Sequence, residues 1–184
     1  MSDTPRLPAP KTFITTHKPD GTSVFAPTPE TAEYKAISNT TNTFADVHAA
    51  PSVPIVLDPS NESNDLATTT TYIASNRHPA GFPAAGPAIR YVDYAPGTYV
   101  PMHRTVSVDY GVVVAGTVEL ELDGGEKRTA HVGDMVVQRG TKHSWRNVGE
   151  GWARMLYVML PAETAIGAPF ELKAEFGVPG GAKV

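Results

Sequence analysis

Two short stretches of the chain carry side chains suited to chemistry. His103, Thr105, Ser107 and Asp109 stand at alternate positions. In an extended chain successive side chains point to opposite faces, so these four would share one face. A strand face that is wholly polar, yet free of Lys and Glu, reads as a pocket wall rather than a solvated surface. His143 opens the second stretch, with Trp145 and Asn147 at the same parity. A histidine next to a carboxylate in a closed apolar interior has the makings of a general acid or base. Such groups can remove a proton beside a carbonyl and return one to a leaving hydroxyl. That is the chemistry of a dehydratase, an isomerase or a cyclase.

The elements that must position these residues read as short strands. Residues 11–17 and 22–26 flank Pro19-Asp20-Gly21 and predict a hairpin. A short helix is expected within 27–36, strands at 43–50 and 53–57, a polar loop over 58–70 and a Pro/Gly-rich connector over 78–87. From residue 88 the pattern sharpens. In 117–122, Val118, Leu120 and Leu122 alternate with Thr117, Glu119 and Glu121, giving one buried and one wet face. Asp123-Gly124-Gly125 is a hairpin turn. Further strands are expected at 89–94, 110–115, 127–132, 134–138, 143–147 and 153–160. Short strands separated by glycine-containing turns form an antiparallel barrel or sandwich. The tail after residue 160 is expected to hold one helical turn around 170–176.

Composition bounds the rest. A chain of 184 residues with 41% hydrophobic and 18% charged residues can build one real core. A net charge of −4 argues against sequence-independent nucleic-acid binding, which needs Lys and Arg on phosphates. The absence of cysteine removes disulfides, thiolate metal sites and a Cys nucleophile. No apolar run reaches membrane-spanning length and the first residues lack a secretory h-region, so a cytoplasmic location is expected.

Gly97, His103, Asp109 and Gly116, followed by Gly133, Gly140, His143 and Asn147, fall on the spacings of two motifs of the cupin family, which this chain resembles over about residues 88–160. Four departures stand out, one being the Gly133–Gly140 span, which is one residue short of the motif. Thr105 replaces the second motif histidine, Asp109 the glutamate, and Gln138 the proline. The resemblance implies an all-β fold, a jelly-roll β-barrel with an N-terminal strand extension. Its parts would be a mobile arm at 1–10, an extension at 11–87, a core at 88–160 and a tail at 161–184.

By the same resemblance His103, Asp109 and His143 would bind one divalent metal, Zn2+, Fe2+, Mn2+ or Ni2+. Such a set leaves positions open for water, substrate or oxygen. A metal-free pocket, with His103 and Asp109 merely bonded to each other or Asp109 paired with an arginine, is the alternative. Thr105, Gln138, Trp145 and Asn147 are candidate substrate contacts, although Trp145 also suits plain core packing. Arg104, His17, His48, His78 and His131 read as surface or satisfied residues.

The expected function is a lyase- or isomerase-type reaction on a polyketide-like or small keto or carboxylic substrate. An Fe(II)-dependent dioxygenase and a non-catalytic ligand-binding barrel are the alternatives. The expected partners are a small-molecule substrate and a second copy in a homodimer, with neither nucleic acid nor membrane.

Overall fold

The computed structural model describes residues 4–28, 30–37, 40–57, 65–75, 86–166, 168 and 170–176. Its strands are β1 (Thr15–His17), β2 (Ser23–Phe25), β3 (Lys35–Ala36), β4 (Thr43–Ala49), β5 (Ala88–Tyr94), β6 (Tyr99–Arg104) and β7 (Ser107–Ala115). They continue with β8 (Thr117–Leu122), β9 (Lys127–His131), β10 (Met135–Arg139), β11 (His143–Asn147), β12 (Ala153–Pro161) and β13 (Glu175–Phe176). One helix, α1 (Asp65–Ala74), lies between β4 and β5.

Two antiparallel sheets face each other. One runs β10-β7-β12-β5-β4-β3 and the other β13-β6-β11-β8-β9. This is the barrel expected from the strand pattern, and the segment before residue 88 does extend it, through β3 and β4. Period-2 alternation turns Val118 and Leu120 of β8 and Met155, Tyr157 and Met159 of β12 into the shared interior. Trp145 and Met155 are the largest fully buried side chains there, each contributing on the order of 1.5–3 kcal/mol by burial. Gly111 lies in the same interior. A Cβ on it would stand 2.9 Å from the Tyr157 ring, so the glycine makes room for that ring.

Helix α1 packs over β4. The Thr69 hydroxyl accepts from the Ala49 N–H and donates to the Ala49 carbonyl, both at 3.0 Å. Tyr72 of the helix accepts a hydrogen bond from Arg90, whose guanidinium also pairs with Asp46 at 3.0 Å. On the outer face of the same sheet Arg154 forms a two-pronged pair with Asp93, at 2.6 and 2.7 Å. Arg154 also donates to the Pro8 carbonyl and Trp152 to the Thr4 carbonyl, so residues expected as a mobile arm are tied down at two points.

Several expected elements differ. The region 58–70, expected as loop, contains the first turns of α1. The helix expected within 27–36 is absent from the described residues there; Thr31 instead bridges Lys11, and β3 follows. Residues 53–57 form no strand: Val53, Ile55, Val56 and Leu57 are exposed with no partner sheet. The tail around 170–176 ends in β13 rather than a helical turn. The connector histidine, His78, lies outside the described residues. No helix among the described residues is long and apolar enough to cross a membrane.

Candidate functional site

Residues 103–109 do not form one strand. β6 ends at Arg104 and β7 begins at Ser107, so His103 and Asp109 belong to opposite sheets. The shared strand face inferred from alternation is therefore a shared interior, reached from two walls. His103 pairs directly with His143 across β6 and β11. Their rings lie 4.1 Å apart, centre to centre, tilted by 51°.

The local chain sets both rings the same way. His103 Nδ1 meets the carbonyl of Pro101 at 2.8 Å, and His143 Nδ1 meets that of Thr141 at 2.9 Å. A carbonyl only accepts, so each Nδ1 carries the proton. In the neutral ring each Nε2 then carries a lone pair. Pro101 lies where β6 slips register against β11, between Val100 and His103. A bulge of this kind re-aims a side chain, and proline is tolerated at such a position. Before His143 the chain turns at Gly140, whose φ of +59° favours glycine.

Burial decides the charge state. It lowers the pKa of His103, against the opposing pulls of the Pro101 carbonyl and the Asp109 carboxylate. His143 is pushed down to about 3, first by burial and then by the neighbouring His103. Asp109 moves the other way: burial raises its carboxyl, while the hydroxyls of Ser107 and Thr105, and then His103 and Arg90, partly restrain it. Thr105 donates to Asp109 Oδ2 at 3.0 Å. Asp109 Oδ1 and the nearby Ser107 hydroxyl are buried with no hydrogen-bond partner. Such atoms are uncommon in folded interiors, and the two groups lie close enough for the Ser107 hydroxyl to act on the Asp109 carboxyl.

The other candidates divide. Gln138 is buried beside Asp109 in register, and its amide makes only a long 3.5 Å contact with the Thr141 carbonyl. Trp145 packs edge-on to both His143 and Tyr157 as part of the core. Asn147 is engaged within the fold. Its amide donates to the Tyr94 and Gly151 carbonyls and its oxygen accepts from Gly149, which uses it up in holding a turn. Thr105 acts through Asp109.

Arg104 points away from the interior, to Glu175. His48 pairs with Asp65 at 2.8 Å. Sequence reading missed Arg90, Asp46 and Tyr72, which form a buried polar cluster in the barrel wall and helix α1. It also missed Tyr94, whose phenol bonds that of Tyr157 at 2.9 Å. Burial holds both phenols protonated.

The imidazole Nε2 pair is suited to a metal, but the expected three-residue set is not assembled. Among the described residues no three His, Asp or Glu side chains are grouped closely enough to hold an ion. Two nitrogen donors are present; the Asp109 carboxylate, bonded by Thr105 at Oδ2, is not grouped with them.

The depressed His143 has a consequence for stability. Between its ordinary pKa of 6.5 and about 3, the unfolded chain binds a proton that the folded site refuses. Stability therefore falls as pH drops through that window. His143→Gln should remove about 2 kcal/mol of this loss at pH 5 relative to pH 7. Urea unfolding at the two pH values checks it; an unchanged pH dependence would contradict the burial of a neutral imidazole. Asp109, with its raised pKa, works in the opposite direction and is common to both proteins.

Residues 90–159 match the family model described as "Cupin domain". Oryzines biosynthesis cluster protein J of Aspergillus oryzae is 41% identical over 167 residues, covering 90% of both chains. The cupin-domain-containing oxidoreductase fogC of Aspergillus ruber is 38% identical over 80% of this chain and 70% of its own length. Among solved structures, the polyketide cyclase RemF from Streptomyces resistomycificus aligns with a TM-score of 0.46 at 14% identity, over 70% of this chain and 73% of that one.

Proposed function

The chain belongs to the cupin-domain family, and we propose that it is a small-molecule enzyme that moves a proton at carbon next to a carbonyl. The observation that carries this reading is the pair of neutral imidazoles, each with Nδ1 tied to a backbone carbonyl and Nε2 left as an acceptor. His103 is the base, because Asp109 stabilises the imidazolium that forms on it. His143, held down to about 3, stays neutral and accepts from the new Nε2–H. Gln138 donates to the developing enolate oxygen.

The strength of the base selects the substrate. An imidazole whose pKa is lowered by burial is a weak base, and its conjugate acid returns a proton readily. It suits carbon acids that are already acidic, with the C–H between two carbonyls. Polyketide-like β-diketones and β-keto acids have that feature. Return of the proton to another carbon gives isomerisation; return to a departing hydroxyl gives dehydration. The relative from the oryzines cluster supports a place in secondary-metabolite chemistry.

The name of fogC supports a second reading, oxidation of the substrate. An iron-dependent dioxygenase needs a third ligand beside the two imidazoles, and no third His, Asp or Glu is grouped with them among the described residues. One experiment separates the readings. The protein is incubated in D2O with a panel of cyclic 1,3-diketones and β-keto acids, with exchange followed by proton NMR, and in parallel with ferrous iron in an oxygen electrode. Enzyme-dependent exchange without oxygen uptake is the expected result. Substrate-dependent oxygen uptake with no exchange would overturn the proton-transfer reading.

A further inference from the structure

The turn that delivers His143 is touched twice by the tail of the chain. Leu172 packs on Gly140: a Cβ on that glycine would stand 2.8 Å from the leucine Cδ2. Glu175, in β13, accepts from the Lys142 ammonium through Oε2. Between Gly140 and Lys142 lies Thr141, whose carbonyl takes the Nδ1–H of His143. The tail thus grips both neighbours of the group that sets the His143 ring. Leu172 is itself fixed, since its N–H donates to the Thr164 hydroxyl at 2.7 Å.

The same carboxylate reaches the strand of the other histidine. Its Oε1 lies 3.6 Å from Arg104 Nη1. β13 pairs with β6 at Arg104 and His103, opposite Glu175 and Phe176. Arg104 directly follows His103, and Lys142 directly precedes His143. One side chain therefore spans the two cations adjacent to the two imidazoles, with one oxygen toward each. Neither cation pairs with another carboxylate among the described residues. The hydrogen bond from Lys142, and then the charges of Lys142 and Arg104, hold the Glu175 carboxyl below its usual range, so it is ionised at neutral pH. Partly exposed pairs of this kind add little to stability. They matter for alignment here, because the β6–β11 ladder shifts register right beside the two histidines and is locally disrupted.

We propose that Glu175 is a positioning residue for the histidine pair. By bridging Arg104 and Lys142, with Leu172 seated on Gly140, it holds the Thr141 carbonyl against His143 and keeps the two rings in register. Its effect on turnover rests on the proton-transfer reading above; its effect on the His143 ring does not.

Nitrogen-15 NMR of the His143 imidazole tests this without substrate. Spectra are recorded for the wild type and Glu175→Gln, in low salt and in about 1 M sodium chloride, where the screening length falls to about 3 Å. Glutamine keeps the shape of the side chain and loses its charge. The wild type in low salt should show the Nδ1–H tautomer alone. The variant in either salt, and the wild type in high salt, should add an Nε2–H signal. The urea midpoint of the variant should stay close to that of the wild type. On a diketone that the wild type exchanges, kcat of the variant should fall about tenfold with KM little changed, the signature of a misplaced base. An unchanged His143 tautomer in the variant and in high salt would overturn the proposal, and so would a variant with wild-type kcat. The salt series on the wild type decides the matter even if Glu175→Gln misfolds. A salt-sensitive tautomer in a wild type that exchanges no member of the panel would uphold the clamp and sink the proton-transfer reading instead.

Discussion

Replacing His103 with glutamine is expected to slow enzyme-dependent proton exchange by about 10²–10⁴-fold while leaving the barrel folded. Glutamine keeps roughly the reach of the imidazole and can still donate to the Pro101 carbonyl. What it loses is the basic Nε2 lone pair. His143→Leu should show a loss of similar order, because leucine carries no acceptor for the imidazolium on His103, whose ring lies 4.1 Å from that of His143. The two losses should not add, since the rings act as a unit. Exchange rates for both single variants and the double variant, measured on a substrate from the panel, check this. Circular dichroism and urea unfolding guard against a trivial explanation. A His103 variant that is fully active, or one that loses activity only by unfolding, would make the pair a structural feature.

Arg154→Met is expected to destabilise the fold by about 3–5 kcal/mol, the usual cost of leaving a buried charge unpaired. Arg154 and Asp93 are both nearly buried and joined at two points, so the variant strands the Asp93 carboxylate. It also removes the donor to the Pro8 carbonyl and the cation over the Tyr34 ring, 5.2 Å away. For a chain of this size the loss corresponds to a fall in Tm of roughly 10 °C. Removing Asp93 as well, in Arg154→Met with Asp93→Leu, should recover much of the loss, because replacing both members of a buried pair with apolar groups is often near neutral. Thermal unfolding of the single and double variants measures it. If the double variant is no better than the single one, the packing of Arg154 rather than its pairing holds this face.

The paired histidines were legible because each follows a glycine turn, Gly97 six residues before His103 and Gly140 three before His143, and each ring meets the carbonyl two residues before it. Asp109 was legible as a site residue for a reason that did not hold in detail. Alternation placed it on the strand of His103, whereas the chain turns at Thr105 and Val106, where neither Gly nor Pro marks a break. The residues still meet because the barrel closes. Helix α1 was not legible. Its Asp65–Ala74 sequence, DLATTTTYIA, is rich in β-branched residues that favour strands. Thr69 and Tyr72 make the helix, by bonding to Ala49 and Arg90, contacts that no local pattern announces. The pairs Arg90–Asp46 and Arg154–Asp93 span 44 and 61 positions and leave no periodic trace. Asn147 shows the opposite case: its parity with His143 suggested a substrate contact, and its hydrogen bonds hold a turn.

His103 and His143 face each other as two neutral rings with protonated Nδ1 and open Nε2. Nitrogen-15 NMR of the imidazoles, assigned by His103→Gln and His143→Gln, reads that directly. At pH 7 both rings should show the Nδ1–H tautomer, with His143 holding it down toward pH 3. An Nε2–H tautomer on either ring, or an imidazolium signal from His143 at pH 6, would contradict the account.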